Sequence, residues 1–298
     1  VVRVFYLYIW RPVWKPRLCW DEALVRYYLH FGSRAFVADA LEKTIDRVVD
    51  LWAGIFLGQS ALGIYSRAYA FATYPRKLLA APVHAVAGGT YAELKGERLR
   101  LSQSFFRINA FLVRSGFLFA GVLALIAPEL VLLLGEQWHA MLTPFRLMLL
   151  FVLLDPIKTT VGLLFVAVGQ PQRLAWSRAV QLSVLLVGLF LLGTIWGING
   201  VALAVDIMLL VGIAIMLWQS RRFVDYSVWR LFAVPLLAFG LGMGATLAVM
   251  PAVAVQSPWL AAFIKLLIFS AVYLAIWLLL EWQDALRMLQ TVRSVFTK

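Results

Sequence analysis

A run near the carboxyl end, residues 259–280, has the sequence WLAAFIKLLIFSAVYLAIWLLL and contains one charged residue, Lys265. About 20 consecutive apolar residues are enough for an α-helix to cross the hydrocarbon core of a bilayer. The composition of the whole chain agrees, since 63% of its 298 residues are hydrophobic, 14% are charged and the mean hydropathy is +0.86. A water-soluble protein of this length could not bury so much apolar surface. The sequence therefore predicts an all-α, multi-pass membrane protein.

Other apolar stretches precede this run. Hydropathy and turn residues together predict eight spans, at residues 33–57, 62–88, 106–134, 141–168, 175–196, 199–219, 230–250 and 259–280. Glycines mark several of the turns between them, namely Gly58, Gly96, Gly135, Gly169 and Gly197.

Basic residues occur in every second loop. One set of loops carries Lys95, Arg98, Arg100, Arg173, Arg178, Arg221, Arg222, Arg230, Arg287, Arg293 and Lys298. The alternate loops, 58–61, 135–140, 197–198 and 251–258, contain no Lys or Arg. Because cytoplasmic loops retain positive charge, this alternation predicts eight spans with both chain ends in the cytoplasm. The same rule explains the net charge of +12 without a nucleic-acid partner. Residues 21–32 and 281–298 are predicted to be amphipathic helices at the cytoplasmic face.

Several kinds of site are excluded by composition. A single cysteine, Cys19, cannot form an intramolecular disulfide or a thiolate metal cluster. The three histidines, His30, His84 and His139, lack the spacing of zinc ligands. No metal or cofactor is expected. Residues 1–10 look like the end of an earlier helix, so we expect a fragment of a longer protein, with a native half-length chain as the alternative.

Charged residues recur inside the predicted spans, where each costs about 2.5–3.5 kcal/mol to insert. In the first span six of them fall within about 140° of helical arc, namely Asp39, Glu42, Lys43, Asp46, Arg47 and Asp50. Asp39 and Glu42 fit a solvated helix extension, with Asp39 paired to Lys43 one turn away. Asp46 and Asp50 lie too deep for that interpretation.

Spans two to four supply basic residues at similar depth, namely Arg76 and Lys77 after Pro75, then Arg114, Arg146, and Lys158 after the Asp155-Pro156 pair. A buried ion pair that fixes helix register is the alternative for each residue. Together with the acids they predict a charged aqueous cavity. Spans seven and eight are almost uncharged, and we expect the glycines at 240, 242 and 244 to pack against another helix or a lipid tail.

Four short motifs, in order, resemble a known family. They are LGIYSRAY at 62–69 followed by Tyr74-Pro75, LGEQW at 134–138 followed by Pro144-Phe145-Arg146, AVGQP at 167–171, and WGINGVA at 196–202. Over roughly residues 20–220 the sequence is similar to the Wzx-type flippases for lipid-linked oligosaccharides, in the multidrug/oligosaccharidyl-lipid/polysaccharide exporter superfamily. Members have two six-helix lobes around a central cavity, and some have two further carboxy-terminal helices.

The resemblance implies a division of the chain into three parts. Residues 1–32 would be a truncated helix, a cytoplasmic linker and an interfacial helix. Residues 33–219 would form the second six-helix lobe around a charged cavity. Residues 220–298 would add two apolar helices and a cytoplasmic amphipathic tail. The amino-terminal lobe of the same protein would then be a missing partner.

The resemblance also implies a non-enzymatic transporter. It would move undecaprenyl-diphosphate-linked oligosaccharide across the bacterial inner membrane by alternating access, for polysaccharide or lipopolysaccharide biosynthesis, in contact with membrane lipid. We expect the diphosphate to bind Arg76, Lys77, Arg114, Arg146 and Lys158. A coupling cation or proton would bind Asp46, Asp50 and Asp155. The alternatives are a cation-coupled multidrug antiporter, a membrane glycan ligase or polymerase, and a purely structural membrane partner.

Overall fold

The computed structural model describes residues 20–253 and 257–282, and every regular element in those ranges is helical. The α-helices in chain order are α1 (Glu22–Phe56), α2 (Gln59–Pro75), α3 (Ala81–Glu93), α4 (Arg98–Leu134), α5 (Leu142–Leu147), α6 (Leu149–Ala167), α7 (Pro171–Gly188), α8 (Thr194–Ser220), α9 (Val228–Val249) and α10 (Pro258–Leu280). Two π-helices, Arg76–Ala80 and Leu189–Gly193, join α2 to α3 and α7 to α8. Two 3₁₀-helices, Glu136–Met141 and Met250–Ala252, precede α5 and follow α9.

Five helical stretches are long and apolar enough to cross a membrane, namely Arg98–Leu134, Leu149–Ala167, Pro171–Ser220, Val228–Ala252 and Pro258–Leu280. The third of them has non-helical backbone at Gly197, with φ 55° and ψ −131°, which divides it into two helices. The predicted all-helical class is confirmed for the part of the chain that the structure describes, and the five candidate spans agree with the predicted membrane protein. The count of eight spans and the cytoplasmic position of both ends remain predictions.

Glycines at four predicted turns have positive φ. The values are 86° at Gly58, 101° at Gly135, 78° at Gly169 and 55° at Gly197. Side chains of L-residues rarely adopt this region because their Cβ atoms clash with the backbone. These positions end or bend helices for that reason, as the sequence predicted.

Helix α1 is longer than the first predicted span. It begins at Glu22, where the Asp21 side chain accepts hydrogen bonds from the backbone amides of Ala23 and Leu24. It then continues to Phe56, so the predicted amphipathic helix at 21–32 is not a separate element. The physical reason is that Gly32 alone costs a helix only about 1 kcal/mol, and no proline interrupts the segment. The predicted helix at 281–298 lies mostly outside the described residues.

The two prolines that precede basic residues in the predicted spans affect their helices differently. Pro75 ends α2 and is followed at once by the five-residue π-helix, as expected from the backbone donor that proline lacks. Pro156 instead lies inside a continuous α6, and the departures from α-helix fall upstream, at the 3₁₀-helix Glu136–Met141 and at Met148 between α5 and α6. Helix α6 packs between α3, α4 and α8, and this tertiary packing maintains the helix across the proline.

The last two helices pack against each other and against α4. The Phe269 ring of α10 lies between two glycines, so that a Cβ built on Gly121 would be 2.0 Å from its Cζ and one on Gly242 would be 3.0 Å from its Cδ2. The expected packing role is confirmed for Gly242. Gly240 and Gly244 meet nothing within 4 Å, because they occupy other faces of α9.

Candidate functional site

A charged cavity of about 320 Å³ opens between α1, α6, α7 and α8. Its apolar wall includes Leu174 and Met216. Its polar lining consists of Asp39, Glu42, Lys158, Thr159, Arg178 and Gln181. These side chains come from helices that pack side by side, so the cavity is a product of the tertiary fold and not of one local motif.

Three of the charged groups at this cavity form one ion-pair network with Asp155. The Glu42 carboxylate accepts a hydrogen bond from Arg178 Nη2 and has its Oε1 3.5 Å from Lys158 Nζ. The same ammonium lies 3.3 Å from Asp155 Oδ1, one turn earlier on α6. Two carboxylates thus balance two cations, and partial burial strengthens their attraction because little water screens them.

The network corrects two interpretations of the sequence. Asp39 does pair with Lys43, at 2.9 Å on the exposed side of α1, but Glu42 is not a solvated residue beside them. It reaches across to Arg178, which the sequence counted among the loop cations although it lies near the start of the predicted span at 175–196. The signal that locates Arg178 is Pro171, because proline is favoured in the first turn of a helix and so puts residue 178 inside α7.

A second cluster gathers carboxylates around a buried tyrosine. Asp46 and Asp50 of α1 and Asp206 of α8 lie close enough to Tyr65 of α2 to interact with it electrostatically, and Tyr69 stacks on the Tyr65 ring at 6.2 Å. Asp206 is buried, and its Oδ1 has no hydrogen-bond partner among the described residues. We call these five residues the acid–tyrosine cluster. Of the three acids predicted to bind a coupling ion, Asp46 and Asp50 lie here and Asp155 lies in the ion-pair network.

Arg114 contacts neither the charged cavity nor the acid–tyrosine cluster. Its Nη2 is 2.5 Å from Glu281 Oε1 and its Nε is 2.6 Å from Glu281 Oε2, with both side chains buried. Tyr273 donates a hydrogen bond to the Arg114 carbonyl at 2.8 Å, and Trp277 Nε1 donates to Glu281 at 3.0 Å. These bonds connect α4 to the end of α10, which the sequence could not indicate because Glu281 lies far along the chain.

The remaining predicted cations lie on other elements. Lys77 is exposed on the first π-helix, with Nζ 5.6 Å from the Tyr74 ring centre, and Arg146 is exposed on α5. The backbone of Arg76 belongs to the same π-helix as Lys77, and its side chain lies outside the described part. Of the five residues predicted to bind diphosphate, the charged cavity is lined by Lys158.

A family model and two curated proteins match this chain, and all three are described as biosynthesis proteins. A family model described as "Polysaccharide biosynthesis protein" matches residues 2–143. Teichuronic acid biosynthesis protein TuaB of Bacillus subtilis (strain 168) is 23% identical over 181 residues, which are 60% of this chain and 38% of that protein. Amylovoran biosynthesis protein AmsL of Erwinia amylovora is 24% identical over 185 residues, 61% of this chain and 47% of that protein. The resemblance to the polysaccharide flippases is confirmed.

Solved structures add information about the fold. Lipid II flippase MurJ, in an inward closed conformation, superimposes with a TM-score of 0.71 at 14% identity, over 95% of this chain and 60% of that one. The crystal structure of a MATE point mutant gives 0.58 at 16% identity, over 74% and 52%. These likenesses and the apolar helices indicate a multi-pass membrane protein of this transporter fold. The alignments span less than half the length of both curated relatives.

Proposed function

We propose that the chain is one lobe, with two added helices, of a flippase in the bacterial inner membrane. Residues 33–219 would form the lobe, and residues 220–298 would form the apolar pair and its tail. The complete transporter would move undecaprenyl-diphosphate-linked oligosaccharide from the inner to the outer leaflet. The single observation that carries the proposal is the charged cavity, where basic side chains line a space between α1 and the apolar stretches Leu149–Ala167 and Pro171–Ser220.

The diphosphate is the part of this substrate that resists transfer through a bilayer, because its charges must lose water. Basic side chains replace that water with charge-assisted hydrogen bonds. Lys158 already lines the cavity, and Arg76, Lys77 and Arg146 would complete the proposed site in contact with a second lobe. Arg114 would have to leave Glu281 before it could bind substrate.

Coupling to a cation or proton is proposed for the acid–tyrosine cluster. Buried ionisable groups within membrane helices generally mark ion or proton pathways. Asp206 is the buried acid of this cluster, whereas Asp50 is half-buried and Asp46 is exposed. The unpartnered Oδ1 of Asp206 supports this role. The same cluster favours a second candidate function, a cation-coupled multidrug antiporter, since acids and aromatic rings bind organic cations.

We propose that the protein transports its substrate without covalent chemistry and is not a membrane glycan ligase or polymerase. Such an enzyme needs a loop large enough to hold a catalytic acid or base. The described connections on the predicted outer side are short, for example Leu57–Gly58 between α1 and α2.

The test is a flipping assay with the protein encoded by the complete reading frame, including any sequence upstream of Val1. Proteoliposomes would contain a fluorescent polyprenyl-diphosphate oligosaccharide, whose arrival in the outer leaflet is measured by dithionite quenching. We expect Lys158→Gln to slow movement at least tenfold if its charge binds the diphosphate. Lys43→Gln is the matched control on an exposed lysine. Equal rates for wild type and Lys158→Gln, or no movement by the wild type, would contradict the proposal.

A further inference from the structure

The Glu42 carboxylate contacts two cations, Lys158 and Arg178, at the edge of the charged cavity. We propose that Glu42 is a resident anion at a phosphate-binding site, and that a lipid phosphate group displaces it from Lys158 and Arg178. This inference rests on the proposed function only for the source of the phosphate. The source is either the diphosphate of the transported lipid or the headgroup of a membrane phospholipid.

The geometry of the two cations suits a phosphate. Arg178 approaches Glu42 from α7 and Lys158 approaches it from α6, and both touch the same carboxylate. A carboxylate and a phosphodiester both present two charged oxygens and one negative charge. A phosphodiester headgroup can therefore replace the carboxylate without changing the charge at the two cations, whereas the diphosphate of the transported lipid would bring a second negative charge. Guanidinium groups bind both with paired hydrogen bonds.

Glu42 is the acid that can leave. Asp155 is 1% exposed and lies on the same helix as Lys158, three residues earlier, so it stays beside the ammonium. Glu42 belongs to α1, a different helix from either cation, and its side chain is 33% exposed at the cavity edge. The asymmetry in burial makes Glu42 the exchangeable partner and Asp155 the fixed one.

The Gln181 side chain is a third polar group at the charged cavity, and it has no strong hydrogen-bond partner among the described residues. Gln181 is fully buried, lines the cavity and has no hydrogen-bond partner for its Oε1 among the described residues. Its Nε2 has only the Met216 sulfur, at 3.9 Å, in the same part of the chain. A thioether is a weak acceptor, so the amide retains a donor for a phosphate oxygen. The cavity thus offers an amide donor in addition to the two cations.

The exchange would also move a helix. Glu42 links α1 to both α6 and α7 through the two ion pairs. A phosphate that takes its place would break both links at once and free this region of α1 from its neighbours. Binding of the lipid phosphate would then favour a rearrangement of the lobe, because a ligand stabilises the conformation to which it binds more tightly.

The experiment measures protection of a cavity-lining cysteine in the full chain in lipid nanodiscs. Cys19, the single native cysteine, is changed to serine, and Ala35, which lines the cavity, is changed to cysteine. Ser183→Cys, on an exposed face of α7, is the control. The nanodiscs are formed from a phosphate-free galactolipid. The probes are inorganic pyrophosphate, a polyprenyl diphosphate and phosphatidylglycerol, each compared with the galactolipid alone and with chloride at matched ionic strength.

We expect a phosphate probe to slow labelling of Ala35→Cys and not of Ser183→Cys. Glu42→Gln should lower the half-protecting concentration about tenfold, because it removes the competing charge. Glu42→Asp, which shortens the competitor, should lower it less and serves if the first variant does not fold. Arg178→Gln should raise the half-protecting concentration. Glu22→Gln, an exposed acid on the same helix, should leave it unchanged.

The outcomes separate this inference from the proposed function. Protection by the polyprenyl diphosphate alone would assign the site to the transported lipid, and equal protection by phosphatidylglycerol would assign it to a phospholipid headgroup. No protection by any phosphate probe would overturn the inference, even if the flipping assay succeeds. The inference would also be overturned if the half-protecting concentration for the wild type were equal to, or lower than, the values for both Glu42 variants. Protection together with failed flipping would retain this site and reject the flippase.

Discussion

Removing either partner of the Arg114–Glu281 pair should destabilise the protein strongly. The side chains are 4% and 12% exposed, and both nitrogens of Arg114 that face Glu281 are within 2.6 Å of a carboxylate oxygen. Loss of one member leaves the other as a buried, uncompensated charge, which costs about 3–5 kcal/mol in proteins. We therefore expect Arg114→Gln and Glu281→Gln each to lower the free energy of unfolding by about that amount.

The double charge reversal decides whether the pair itself matters. Arg114→Glu combined with Glu281→Arg should recover most of the loss, since each reversal supplies the partner that the other needs. The free energy of unfolding is measured by steric trapping in bicelles, with near-identical secondary structure by circular dichroism as a condition. Arg26→Gln, at an exposed pair with Glu22 on α1, is the control and should cause no measurable change.

Two results would refute this reasoning. One is a stable single variant, and the other is a double reversal that is as unstable as the singles. The flipping assay then separates two roles for Arg114. If the stable double reversal also transports, Arg114 holds α4 to α10 and does not bind substrate. If it is stable and does not transport, the diphosphate-binding prediction for Arg114 is supported.

Two further predictions concern the turn after α8 and the approach of two helices. The hydrogen bond from Arg98 lowers the pKa of the exposed Asp225 carboxyl. Their contact should therefore be fully present above the ordinary Asp pKa of about 4 and be lost as the pH falls through the lowered pKa of Asp225. A carbon-13 carboxyl titration should show this pKa rising in Arg98→Gln, and an unchanged pKa would contradict the prediction. Gly200→Ala should destabilise by about 1–3 kcal/mol, because its Cβ would lie 1.9 Å from the Leu192 carbonyl oxygen, whereas Gly240→Ala, which meets nothing within 4 Å, should be neutral in the same steric-trap measurement.

The sequence predicts helix positions well where the cause is local. Gly58, Gly135, Gly169 and Gly197 are the glycines with positive φ in the described residues, and each was predicted as a turn. Apolar length and proline position act over one or two helical turns, so they are visible in a single sequence. Pro156 is the exception, because the packing of α6 on its neighbours overrides the local preference.

The partners of the charged side chains were largely beyond sequence analysis. Depth in a span identified Lys158 and Asp155 as members of an interior site, and spacing identified the Asp39–Lys43 pair. Neither could indicate that Arg114 meets a glutamate on α10, since that contact depends on how two distant helices pack. Charge in a span therefore predicts that a partner exists, and tertiary structure decides which one it is.

The π-helix at Arg76–Ala80 changes the side of the helix on which each later residue lies. A π-turn contains about one residue more than an α-turn, so everything after it is rotated by roughly 100° relative to an uninterrupted α-helix. Deleting one residue there would convert the π-turn into α-helix and leave the buried Ala87 and Tyr91 facing the same neighbours, whereas a regular α-helix of unchanged length would turn them away. Any alignment of this chain with a protein that lacks the extra residue needs a one-residue gap at this point to match the buried positions.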